Sequence, residues 1–80
     1  MVQNSKVPYG PGQRRLAELR SARQAESPNP RDWTQVALAR KVGASVRSVK
    51  AWESGQTVPR PFYRRRLAMV FGLAVTDLGF

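Results

Sequence analysis

Neither cysteine nor histidine occurs in the 80 residues. Disulfides, thiolate nucleophiles, Cys/His zinc sites and the commonest general base are excluded together. Acidic residues are scarce too: Glu18, Glu26, Asp32, Glu53 and Asp77 are all there are. They are scattered, with no local pair of the kind that a glycosidase or a hard-metal cage needs. The expectation is a chain that is not an enzyme and that takes no cofactor, no metal and no small-molecule ligand. No apolar run approaches the ~20 residues that cross a bilayer. The lysine near the N-terminus, Lys6, is not followed by the apolar stretch of an export signal. The chain therefore reads as cytoplasmic, without a membrane partner.

What is abundant is positive charge. Lys and Arg number 14 and bring the formal net charge to +9. Such a balance self-repels in a short chain and is most easily accommodated beside a polyanion. Nucleic acid is the leading candidate and an anionic membrane surface the second. Apolar residues make up 41%, enough for a core. A chain of this length still buries only ~60% of the surface its unfolded form exposes, so one domain is the expectation.

Residues 1–12, "MVQNSKVPYGPG", carry two prolines and two glycines without apolar periodicity. A flexible arm is expected there, with Lys6 and Tyr9 as groove-reaching candidates and plain disorder as the alternative. From Gln13 the stretch "QRRLAELRSARQAE" reads as a helix, in which Leu16, Leu19 and Ala22 share the surface with Arg20 and Arg23 on alternating faces. The prolines of "SPNPRD", residues 27–32, stop it and open an exposed loop. Thr34 caps a second helix running to about Val42, and Trp33 before it is placed to staple onto Leu38. Gly43 allows the left-handed turn, Ser45 caps a third helix over about 45–54, and Gly55 closes it. A fourth helix, about Phe62 to Phe71, sets Tyr63, Leu67, Val70 and Phe71 on one stripe. Gly72 ends that helix, and "LAVTDLGF" supplies a last turn or two packed by Val75 and Leu78. With no repeat and no strand-like alternation, the fold class is all-α: five short helices in one domain over residues 13–80.

The third helix sorts its residues into two faces. At about 100° per residue, Val46, Arg47, Lys50, Ala51 and Ser54 share one arc, and Ser48, Val49 and Trp52 the other. Val49 and Trp52 are expected to seat the helix, which leaves a guanidinium and an ammonium facing outward among small residues. A DNA major groove admits such a helix and offers guanine O6 and N7 to its long donors. Arg47 is the leading base reader. Val46 suits a thymine methyl, Lys50 a guanine or a phosphate, and Ala51 a close approach. The turn at Gly43 brings Gln35, at the start of the second helix, toward the same surface, where helix amides attract a backbone phosphate. Residues 40–66 add Arg40, Lys41, Arg60, Arg64, Arg65 and Arg66 to Arg47 and Lys50 against Glu53 alone. That concentration is the footprint of polyanion binding. Arg64 and Arg66 flank the apolar stripe of the fourth helix and Arg65 points away from it, so part of this charge is ordinary solvated surface.

Taken together, "LRSAR", "WTQVALARKVGAS", "VRSVKAWESGQTVPR" and "LAMVFGLAVTDL" resemble the helix-turn-helix proteins of the Cro and C1 phage repressor type, the XRE family. The resemblance covers most of residues 16–78 and implies a five-helix DNA-binding domain, lambda-repressor-like, with the helix-turn-helix at helices two and three. It implies that Gln35 and nearby amides grip phosphates and that the start of the third helix reads bases. It also implies a structural ion pair between Arg20 and Glu53. The expected phosphate contacts are Gln35, Ser45, Ser48, Gln56 and Arg60; the expected base readers are Val46, Arg47, Lys50 and Ala51. Three features depart from the family pattern: a longer connection, "QAESPNPRDW"; Ala37 where an acid would complete a capping box; and Ala74 where a polar cap would precede the last helix.

The function expected is that of a sequence-specific double-stranded DNA-binding transcriptional regulator, a small repressor occupying an operator. Its setting would be a bacterial cytoplasm, beside the nucleoid, with a phage or host origin left open. Two copies on a palindromic operator and one copy on a single half-site both remain open. The alternative is an antitoxin-type module that binds a protein as well as DNA. RNA binding ranks behind both because no aromatic stacking platform is evident. A membrane-surface helix ranks last, since no segment joins a basic face to a large apolar one.

Overall fold

The computed structural model describes residues 11–80. Among them the order is α1 (Pro11–Glu26), a 3-10 turn (Pro30–Trp33), α2 (Gln35–Val42), α3 (Val46–Ser54), α4 (Pro61–Phe71) and a closing 3-10 turn (Val75–Leu78). Lys6 and Tyr9, the proposed groove-reaching residues, lie outside the described residues. Pro11 and Gly12, assigned to the arm, belong to α1 instead. A proline fits the first turn because the N–H it lacks has no partner there; Pro61 opens α4 one residue earlier than expected for the same reason.

The described residues form four α-helices, not five. Ala74 occupies the position before the last turn and has no side-chain oxygen for the free amides behind it. Only the reverse bond forms, from Ala74 N–H to the Asp77 carboxylate at 3.4 Å. Gly79 then turns the chain left-handed at φ 84° after four residues of 3-10 helix. Segments this short gain little from helix propagation. The geometry also corrects Val75, which is 39% exposed rather than packed, while Leu78 is fully buried. Leu73 and Phe80 lie half-buried against the core, so most of the apolar C-terminal stretch is consumed by packing.

The long connection after α1 is tied down by its own polar groups. Asn29 Oδ1 accepts from Arg31 N–H at 3.1 Å and caps the 3-10 turn. Ser27 Oγ donates to Asn29 O at 2.8 Å, and Gln24 Nε2 reaches from α1 to Pro30 O at 3.1 Å. The extra residues thus fold back on the last turns of α1. They deliver Trp33 to the core, where its ring stacks on Phe71 at 5.5 Å between centroids.

Each α-helix supplies the core. Leu16 comes from α1, Leu38, Ala39 and Val42 from α2, Val49 and Trp52 from α3, Leu67, Ala68 and Phe71 from α4; Leu78 closes it. Between α2 and α3 the turn depends on Gly43, at φ 75°. With the chain reversed there, Ala44 N–H donates to Ala39 O at 2.9 Å and satisfies one of the carbonyls that a helix end leaves open. The same bond recurs after α3 and α4, from Gln56 N–H to Ala51 O and from Leu73 N–H to Ala68 O, each at 2.9 Å.

Candidate nucleic-acid interface

Helix α3 is fixed at both ends before any ligand is considered. Ser45 Oγ accepts from Ser48 N–H at 3.0 Å, and the same hydroxyl donates to Ser48 Oγ at 3.0 Å. Ser45 is therefore occupied as a cap, whereas Ser48 retains a hydroxyl proton to give. Val49 and Trp52 are buried, and Trp52 also meets Tyr63 of α4 at 5.5 Å between ring centroids. Burying each of these side chains is worth a few kcal/mol, enough to hold one face of a nine-residue helix inward.

The opposite face carries Arg47 and Lys50, both exposed. Among the described residues no hydrogen bond or ion pair engages either side chain, nor those of Arg40 and Arg60, which are exposed as well. Ala51 is half-buried beside them. Val46, grouped with that outward face in the sequence, is half-buried and packs against the core. Its edge of the helix is thus rolled inward, leaving part of the side chain accessible. Gln56 is exposed in the segment after α3.

Behind α3 lies a polar cluster. Arg20 Nε donates to Glu53 Oε2 at 2.7 Å and its Nη2 to Glu53 Oε1 at 3.1 Å, a two-pronged pair whose side chains are 15% and 8% exposed. The remaining Arg20 nitrogen, Nη1, donates to Trp33 O at 3.2 Å. Gln35 Nε2 adds a third bond to the Glu53 carboxylate, at 3.0 Å on Oε1. The Gln35 side chain, expected to face outward, is thus half-buried and turned toward α3. A carboxylate this buried is tolerable only because several donors surround it.

A family model described as a helix-turn-helix domain matches residues 14–78. The chain belongs to the helix-turn-helix family. No curated protein and no solved structure matches it. Membership supports DNA binding as the activity and transcription regulation as its class. No helix among the described residues is long and apolar enough to cross a membrane.

One feature of the helix-turn-helix domain was not legible in the sequence: much of its basic charge is structural. Arg66 Nε donates to Val42 O at 2.8 Å at the end of α2, and its guanidinium lies 5.3 Å from the Phe62 ring centroid. Arg23 Nη2 donates to Phe71 O at 2.7 Å at the end of α4 and sits 5.6 Å from the Trp33 ring centroid. Cations at helix C-termini are stabilised by the open carbonyls and the helix dipole. Arg64 Nε binds Pro59 O at 2.8 Å, and Arg15 Nε binds Asp77 O at 3.1 Å. Lys41 Nζ rests 4.8 Å from the centroid of the Trp33 ring, in range of a cation–π contact. A charge count over residues 40–66 places Lys41, Arg64 and Arg66 in the basic concentration; their carbonyl and ring partners show that these side chains also serve the fold.

Proposed function

We propose that the chain is a Cro/C1-type regulator, a small repressor that occupies a double-stranded DNA operator with α3 in the major groove. The observation that carries this reading is the division of α3: Val49 and Trp52 are buried, and Arg47 and Lys50 are exposed and unpaired among the described residues. In this reading Arg47 reads a guanine, Lys50 a neighbouring base or phosphate, and Val46 and Ala51 lie against the groove floor. Ser48, Gln56, Arg60 and Gln35 hold phosphates, with Ser45 contributing its backbone as the cap. The protein acts by occupancy, without catalysis, cofactor or small-molecule ligand, in a bacterial cytoplasm.

Selection of duplexes from random DNA, followed by footprinting, tests it. One enriched motif with α3-sized protection supports the reading, and a palindrome with half-sites about one helical turn apart adds a homodimer on DNA. Equal recovery of all sequences overturns it.

A second reading, an antitoxin-type protein-binding module, draws on the outer face of α4, where Phe62 and Met69 are 52% and 80% exposed. Its test is a partner encoded beside the gene whose binding survives Arg47→Ala and is lost in Met69→Glu.

A further inference from the structure

We infer that Glu53 is a positioning residue for DNA contact: it holds the Gln35 side chain in the orientation in which Gln35 meets a phosphate. The inference rests on the DNA-binding reading above and assigns Glu53 a role beyond tying α1 to α3.

The Glu53 carboxylate accepts three hydrogen bonds, two from Arg20 and one from Gln35 Nε2. The Arg20 pair alone explains the anchoring of α3, because it already spans 33 residues of sequence. The third bond needs a separate explanation. Gln35 stands first in α2, directly after the Thr34 cap, where backbone amides face out of the helix. A glutamine there has three free rotors and, untethered, spreads its amide over many positions. Here one Nε2 proton is given to Glu53 Oε1 at 3.0 Å, which restrains where the amide lies. The second Nε2 proton remains available to donate. Arg20 supplies the counter-charge, so a carboxylate can do this close to a polyanion without repelling it. Because Arg20 Nη1 also binds Trp33 O, next to the Thr34 cap, the same guanidinium fixes the backbone that leads into α2. Arg20, Glu53 and the long connection thereby set where one neutral donor points.

The measurement is a cycle of variants on a duplex selected for the wild-type chain: Gln35→Ala, the paired replacement Arg20→Met with Glu53→Met, and all three changes together. The methionine pair fills the same space without an unpaired charge. If Glu53 acts by positioning Gln35, Gln35→Ala and the methionine pair each weaken binding roughly tenfold, the scale of one hydrogen bond to a charged group. Adding Gln35→Ala to the pair then costs nothing more, and the slope of affinity against salt stays at its wild-type value, since no phosphate-neutralising cation is removed. A merely structural role predicts that the two losses multiply, or that the pair binds like wild type; either overturns the inference. Should the pair fail to fold, Glu53→Ala with and without Gln35→Ala completes the same cycle, read by the same criteria. A wild-type chain that selects no duplex sinks the underlying reading instead, an outcome distinct from all of these.

Discussion

Arg47 and Arg60 are both exposed arginines without partners among the described residues, yet their positions predict different behaviour. Arg47 lies in the first turn of α3, where a bidentate contact with a guanine is possible. Replacing it with alanine is expected to cost about 1–3 kcal/mol on the preferred duplex and to relax preference at one base pair. Titration against duplexes carrying single base-pair changes checks this, and an equal loss on every duplex reduces Arg47 to a phosphate contact. Arg60 precedes α4 in the connecting segment. Arg60→Ala is expected to weaken binding to all sequences alike and to make log affinity fall less steeply with log salt, by roughly one phosphate contact.

Among the helices, the end of α2 is held by two devices that differ in how far they reach along the chain. The left-handed Gly43 was visible in the sequence because its action is confined to the turn it makes. The bond from Arg66 to Val42 O spans 24 residues and no local pattern announces it. Arg66→Ala removes a cation from the C-terminus of α2 and is expected to lower stability by about 0.5–1 kcal/mol, a modest figure because the side chain is exposed. Urea unfolding measures that loss. The salt dependence of DNA binding should be unchanged by the same substitution; a shallower slope would show that Arg66 also neutralises a phosphate. The same reasoning explains the missing fifth helix. An alanine at the cap was readable at position 74, but its consequence depended on whether packing could compensate. With Leu78 fully buried and Val75 39% exposed, packing supports only a single 3-10 turn.

At the scale of the whole molecule, ten buried apolar residues form one core among the described residues, and no second core is present there to share the load. A domain of this size has a total stability of only ~5 kcal/mol. Leu67, fully buried on α4, is expected to lose about 2–5 kcal/mol on truncation to alanine. Thermal melts followed by circular dichroism should therefore find the Leu67→Ala midpoint lowered by ~8 °C or more; an unchanged midpoint would contradict the single-core description. The formal charge of +9 is also distributed unevenly in its effects. Arg15, Arg20, Arg23, Arg64 and Arg66 are drawn onto carbonyls or Glu53, while the exposed side chains of Arg31, Arg40, Arg47, Lys50, Arg60 and Arg65 have no hydrogen-bond or ion-pair partner among the described residues.

The sequence alone determined what is local or periodic. Caps at Thr34 and Ser45 and the glycines at 43, 55 and 72 act within a few residues, and the split of α3 into seated and outward faces follows from helical periodicity at every named position but Val46, which packs inward. Tertiary structure decided what depends on distant partners. Arg15 meets Asp77 across 62 residues and Arg23 meets Phe71 across 48; Trp33 stacks on Phe71, and Gln35 turns to Glu53 across 18. A guanidinium or an amide has the same composition whether it faces water, DNA or a carbonyl. Only the packed fold brings the carbonyl within hydrogen-bonding reach or leaves it elsewhere, and that choice separates the arginines that hold the domain from those without a partner among the described residues.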